Sequence, residues 1–279
     1  MTLSNIRVKP VTASIGAEIE GVNLAEPLSD ATFEAVPDAL MTHQVIFFRD
    51  QEMNIEQHKD LGRRFGDLHV HPAAPGPKDH PEILVIHADE KSKHVAGGGW
   101  HTDVSCDVEP PMGSILHLHE IPASGGDTMF ASMYAAYDAL SEPVKGFVDG
   151  LQAWHESAHV HRDRLGHKGE LRDGEDTYPV SLHPIVRTHP VTGRKCLFVN
   201  ENFTTRIEGL NPNESEALLK MLYEHIATPE FQCRFTWAEK SVAFWDNRCV
   251  WHRAIGDYLP KVRSGFRVQI EGESPPIMA

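Results

Sequence analysis

Residues 97–104 read Gly-Gly-Gly-Trp-His-Thr-Asp-Val, and the spacing of His101 and Asp103 governs how the rest of the chain is read. On an extended strand, side chains at i and i+2 leave the same face, so an imidazole and a carboxylate there can bind one ion. A third ligand from a distant strand would complete the two-histidine, one-carboxylate face that suits ferrous iron and leaves coordination positions open. The preceding glycines permit close approach of the backbone to a ligand. His-x-Asp alone is a weak signal, because it recurs at His58–Asp60, His87–Asp89 and His161–Asp163 in a chain with 18 histidines and 40 acidic residues. Context separates the four. His58 and Asp60 fall in a helical stretch, where i and i+2 diverge. His87–Asp89 ends a strand and enters a Lys-rich turn, as a surface pair would. His161–Asp163 lies in a polar loop; its letters His-Arg-Asp come without the glycine-rich loop of a kinase.

Outward from this point the chain is a succession of short apolar, β-branched runs: 45–48, 82–88, 114–121, 195–199, 231–237 and 241–245. Each has the length and composition of a strand. Helical signals are fewer. One stretch starts at Asn54 and carries Ile55, Leu61 and Phe65. Another opens on Asn211-Pro212-Asn213-Glu214, with a capping Asn, Pro at the first helical position and Glu at the third. Residues 132–150 read as one or two helices broken near Pro143. Residues 155–182 are rich in His, Arg, Asp and Gly and read as a long loop. The fold class expected is mainly β with flanking helices, built on a double-stranded β-helix (jelly-roll) core, a framework that offers a concave interior. No linker or repeat divides the sequence, so a single domain over 1–279 is expected, with a helical and loop insertion at about 130–182.

Composition narrows the function. The 26 Lys and Arg against 40 acidic residues leave a formal charge of −14, which argues against binding a phosphate backbone or an anionic membrane. Apolar runs of about four residues are far short of a membrane span. The first residues show no signal-peptide core, and Cys106, Cys196, Cys233 and Cys249 form no Cys-x-x-Cys pair. A cytoplasmic protein is the expectation.

Beyond residues 99–104, Gly125-Gly126-Asp127-Thr128, Phe198-Val199-Asn200-Glu201-Asn202-Phe203-Thr204-Thr205-Arg206, Trp245-Asp246-Asn247-Arg248 and His252 follow in order. Together these segments resemble the taurine dioxygenase/TfdA family of Fe(II)- and 2-oxoglutarate-dependent dioxygenases, from about residue 5 to residue 271. The resemblance implies that His101, Asp103 and His252 hold Fe(II), and that 2-oxoglutarate and O2 are consumed, giving succinate and CO2. On its own His252 reads as an ordinary histidine beside Trp251. The resemblance further implies that Arg263, with Thr128, grips the distal carboxylate of 2-oxoglutarate. Arg267, His71 and Phe203 match positions that contact substrate. A guanidinium fork suits a carboxylate in a way that lysine does not. If 264–271 is a strand, Arg263, Gly265 and Arg267 share one face.

The chain departs from the taurine pattern at two places. Ala74 stands where a taurine enzyme has tyrosine, and Gly97 where it has asparagine. Losing two polar side chains enlarges the pocket and removes hydrogen-bonding partners, which alters selectivity. The expected substrate is a small anionic organic molecule: a sulfonate, an alkyl sulfate or an aryloxyalkanoate. Taurine oxidation to sulfite and aminoacetaldehyde is the alternative, as is a non-catalytic jelly-roll protein that binds metal or ligand. By resemblance the assembly is a homo-oligomer, dimer or tetramer. Of the remaining histidines, His117 and His119 are expected along one sheet face. His155, His159, His161 and His167 are expected in the solvated loop. Trp100 and Trp251 should pack around the site.

Overall fold

The computed structural model describes residues 6–71, 76–160 and 178–279. Strands dominate. They are β1 (Arg7–Pro10), β2 (Ala17–Glu20), β3 (Val45–Phe48), β4 (Leu84–Ala88), β5 (Gly113–Glu120), β6 (Thr128–Ser132), β7 (Gln152–Glu156) and β8 (Val180–Pro184). There follow β9 (Val186–Thr188), β10 (Lys195–Leu197), β11 (Thr204–Ile207), β12 (Gln232–Phe235), β13 (Val242–Asp246), β14 (Val250–Ala254), β15 (Arg263–Ile270) and β16 (Ile277–Met278). A seven-stranded sheet runs β1-β2-β3-β13-β5-β15-β4, and three-stranded sheets run β12-β6-β14, β11-β7-β8 and β10-β9-β16.

The centre of the large sheet, β3 and β13, is buried on both faces, which explains why β3 is apolar at every position rather than alternating. Val45 and Phe47 of β3, with Ala243 and Trp245 of β13, face a core shared with Phe130, Phe235 and Trp251. Phe47 stacks on Phe235 at 4.0 Å and meets Phe130 at 5.6 Å, so the β12-β6-β14 sheet lies across the large one. Ile46, Phe48, Val242 and Phe244 point the other way. They are covered by the helices Asp30–His43 and Ile55–Arg63, which bring Val36, Leu40 and Leu61.

Most runs read from the sequence become strands with shifts of a few residues, and both capping signals operate. Asn54 accepts from the Gln57 amide while the Gln57 side chain accepts from the Asn54 amide, and Asn211 and Glu214 repeat the arrangement. The break expected near Pro143 falls at residues 139–141, with Pro143 in the first turn of the helix Glu142–Val148, where no amide donor is needed. The helix Asp30–His43 had no reading from the sequence; Pro37 lies inside it, while Ser29 caps it by accepting from the Thr32 amide. His155 is not in a solvated loop but fully buried on β7, its Nδ1 2.9 Å from Ser105 Oγ. His159 is exposed as expected, and His161, Asp163 and His167 lie outside the described residues.

Candidate metal centre

One backbone bridge sets up the site. His101 N donates to His252 O at 3.1 Å, and His252 N donates to His101 O at 2.8 Å. The two residues, about 150 positions apart in the chain, therefore face each other across an antiparallel pair. β14 is itself paired with β6, with His252 opposite Phe130. The extended strand expected through residues 101–104 does not form. Only His101 is bridged; the chain turns at once, with Asp107 N donating to Val104 O at 3.1 Å. Val104 takes φ 45, a left-handed conformation that is uncommon for a β-branched residue. That turn, rather than strand alternation, brings the Asp103 carboxylate alongside both imidazoles.

Asp103 Oδ1 is 3.6 Å from His101 Nε2 and 3.7 Å from His252 Nε2, and the rings are 4.1 Å apart. His101 Nδ1 lies 2.9 Å from Gly99 O; a carbonyl can only accept, so the proton resides on Nδ1 and the Nε2 lone pair faces Asp103. Burial and His101 push His252 well below the usual histidine range despite Asp103, leaving it in the neutral, ligating form. Burial alone would raise Asp103, but the Arg267 guanidinium bonded to it outweighs that and holds the carboxylate ionised. Two imidazole nitrogens and one carboxylate oxygen within 4.8 Å of one another, with no thiol among them, form a donor set that fits ferrous iron.

The carboxylate is held at both ends. Ser114 Oγ, on β5, donates to Asp103 Oδ2 at 2.7 Å, and Asn247 Nδ2 donates to Ser114 Oγ at 3.0 Å. Trp245 Nε1 donates to Asn247 Oδ1 at 2.8 Å, which fixes the amide orientation. Arg267 Nη1 donates to Asp103 Oδ1 at 2.8 Å, and its Nε is buried without a partner among the described residues. Ser114 was not singled out in the sequence, and nothing local distinguishes it. It acts through register, sitting opposite Trp245 on one side and Gln269 on the other.

β15 carries both expected arginines into the interior. Arg263 is 2% exposed; its Nε donates to Gly126 O at 2.9 Å and its Nη2 to Thr128 Oγ1 at 3.3 Å. The expected pairing of Arg263 with Thr128 is therefore present. Among the described residues no carboxylate lies within 4.0 Å of this guanidinium, and burial lowers its pKa. A register shift between Ser264 and Gly265 interrupts strict alternation.

The other predicted positions are placed less directly. Phe203 is buried against Val104 and Cys106, next to Asp103. His71 lies 6.4 Å from His69, whose Nε2 is 3.3 Å from Asp107 on the far side of the Asp103 turn. Gly97 has φ +74, and a Cβ there would stand 3.2 Å from His101 Cε1, so the absence of a side chain opens space against the first histidine. Ala74 lies outside the described residues. Trp100 and Trp251 pack at 6.1 Å as expected. His58 is buried, whereas His87 pairs with Asp89 at the surface at 3.8 Å. His117 is buried and His119 is exposed. A second close group, His189, Asp246 and Cys249, has no free lone pair for an ion on its imidazole. His189 Nδ1 accepts from the Val191 and Thr192 amides, and its Nε2 donates to Asp246, which Arg248 grips in two hydrogen bonds.

The family model described as "Taurine catabolism dioxygenase TauD, TfdA family" matches residues 7–269. An alpha-ketoglutarate-dependent sulfonate dioxygenase of Saccharomyces cerevisiae is 34% identical over 286 residues, covering 98% of this chain and 68% of the relative. An alpha-ketoglutarate-dependent sulfate ester dioxygenase of Pseudomonas putida is 34% identical over 278 residues, covering 96% of this chain and 90% of the relative. The crystal structure of a taurine dioxygenase from Burkholderia xenovorans superposes with a TM-score of 0.83 at 38% identity, covering 97% of this chain and 92% of that one.

Proposed function

The chain belongs to the TauD/TfdA family, and from that premise we propose that it is an Fe(II)- and 2-oxoglutarate-dependent dioxygenase acting on a small anionic organic substrate. The observation that carries the reading is the convergence of His101, Asp103 and His252, together with a buried guanidinium, Arg263, that has no carboxylate partner among the described residues. A buried, unneutralised cation is costly, and an incoming carboxylate offsets that cost.

His101, Asp103 and His252 are the proposed iron ligands. Bound iron, with 2-oxoglutarate and O2, supplies the oxidising chemistry that hydroxylates a substrate carbon and yields succinate and CO2. The chain's own part is positional. Arg263 and Thr128 hold the distal carboxylate of 2-oxoglutarate, Ser114 fixes the Asp103 carboxylate, and Arg267 with His71 and Phe203 receives the substrate. The walls formed by the large sheet and by β12-β6-β14 support a double-stranded β-helix within one domain over 1–279. Four buried free cysteines suit the reduced cytoplasm, and among the described residues no helix is long and apolar enough to cross a membrane. A dimer or tetramer remains the expectation; a groove of about 390 Å³ lined by Val108, Val180 and Met278, all exposed, is the face that best supports it.

Sulfonates, alkyl sulfates and aryloxyalkanoates are the candidate substrates, since a phenoxypropionate dioxygenase of Sphingobium herbicidovorans is 35% identical to the chain. Two of the relatives are named for a sulfonate and a sulfate ester, and Gly97 leaves room beside His101. The test is succinate release from 2-oxoglutarate with Fe(II) over taurine, longer sulfonates, alkyl sulfates and aryloxyalkanoates. Wild type should turn over at least one of the larger anions and His101→Ala none. Turnover of taurine alone would establish a taurine dioxygenase instead, and binding without succinate would leave a non-catalytic protein.

A further inference from the structure

Resting on that reading, we propose that Arg267 is a thermodynamic link between the substrate's anionic head and the metal, because guanidinium and metal draw on the same oxygen of Asp103. Asp103 Oδ1, and not Oδ2, is the oxygen that faces both Nε2 atoms. Arg267 Nη1 donates to that same Oδ1 at 2.8 Å, while Oδ2 is taken by Ser114. The carboxylate is 3% exposed and Arg267 is 8% exposed, so water screens their attraction poorly. A cation hydrogen-bonded to Oδ1 withdraws the electron density that a metal needs from it, and repels the metal directly.

Arg267 also has an unused donor. Its Nε is buried with no partner among the described residues. A sulfonate or sulfate has three oxygens and can engage Nε and an Nη together, in the forked geometry a guanidinium favours. An anion on the edge formed by Nε and Nη2 neutralises the guanidinium, weakens its pull on Asp103 from Nη1 and leaves Oδ1 freer for the metal. Coupling of this kind is reciprocal: whatever factor the anion adds to metal affinity, the metal adds to anion affinity. The metal is then held most tightly when substrate is in place, which suits an enzyme that must not oxidise itself between turnovers.

The experiment uses the full chain with Mn(II), a redox-stable probe, and 1-hexanesulfonate. By calorimetry without any organic anion, Arg267→Gln should bind Mn(II) about ten- to a hundredfold more tightly than wild type, the range set by one charge-assisted hydrogen bond. Arg267→Met gives the same comparison should glutamine perturb folding, which circular dichroism reports. In wild type, 1-hexanesulfonate should tighten Mn(II) binding, and in Arg267→Gln it should leave binding unchanged. Equal or weaker Mn(II) binding by both variants overturns the link, as does a wild type whose Mn(II) affinity is unmoved or lowered by the sulfonate. Failure of the metal centre itself looks different: there His101→Ala would bind Mn(II) as well as wild type does.

Discussion

Ser114 Oγ donates to Asp103 Oδ2 at 2.7 Å and in turn accepts from Asn247, so the carboxylate's orientation is set from the β5–β13 register and not from the Asp103 turn. Hydrogen bonds of this outer kind govern which lone pair a ligand presents. Ser114→Ala should weaken Mn(II) binding by about ten- to a hundredfold. Ser114→Thr, which retains the hydroxyl, should recover most of that loss. Calorimetric titration of both variants checks the claim; unchanged affinity in Ser114→Ala would show that the turn alone suffices.

Arg263 and Thr128 form the second anchored group. Because the guanidinium is buried beside neutral acceptors, its removal should affect activity and stability in opposite senses. Arg263→Met should raise the KM for 2-oxoglutarate by about ten- to a hundredfold, the effect of a lost charge-assisted bond. Its free energy of unfolding in urea should be no lower than that of wild type. Thr128→Val should raise the same KM by roughly fivefold, as one neutral hydrogen bond contributes about 1 kcal/mol. A clear loss of stability in Arg263→Met would mean that the guanidinium is structural.

Much of this site was legible in the chain because its parts are local. The His101/Asp103 pair and the arginines at 263 and 267 keep fixed spacings, and the structure buries all four, with Arg267 on Asp103. The framework was legible where strands are buried on both faces, as in β3 and β13, since β3 is apolar throughout and β13 is apolar up to Asp246. Short strands such as β8 and β11 carried no comparable signal: β8 buries Ser181 and His183 while Val180 is exposed, and β11 buries only its end residues Thr204 and Ile207. The mode by which Asp103 arrives was misread, because periodicity cannot anticipate a left-handed Val104. Ser114 and His189 were invisible for a different reason. Their importance arises from partners 11 to 133 positions away, across pairings that only the folded sheet defines.

Gly97 bears on selectivity. An added Cβ would lie 3.2 Å from His101 Cε1, and the backbone there has φ +74, which asparagine tolerates better than most residues. Gly97→Asn should therefore fold, narrow the space beside the first histidine and add a polar contact. The ratio of kcat/KM for hexanesulfonate to that for taurine should fall by about tenfold, equivalent to 1.4 kcal/mol of differential binding. A ratio that does not move would place the selectivity elsewhere in the pocket.

Acid should unfold the protein partly through His58. Its Nε2 donates to Ile115 O at 3.1 Å, its Nδ1 is buried without a partner among the described residues, and His117 lies 6.1 Å away. Burial and then His117 lower its pKa to about 3, against the weaker opposing effect of the Ile115 bond. The folded pKa is thus depressed below the unfolded value of 6.5, and for a base this means that the unfolded chain takes up the proton first. Stability is intact above pH 6.5 and declines as pH falls from there toward about 3. The decline is about 1.4 kcal/mol per pH unit for this one group. His58→Gln retains a donor for Ile115 and removes the titration. Urea unfolding between pH 7 and pH 5 should then show a slope smaller than that of wild type by about 1.4 kcal/mol per unit at its acid end. The residual slope belongs to His43, His117, His155, His183 and His252, whose pKa values burial also lowers. Identical slopes in the two proteins would mean that His58 is protonated without cost and that its burial does not govern acid stability.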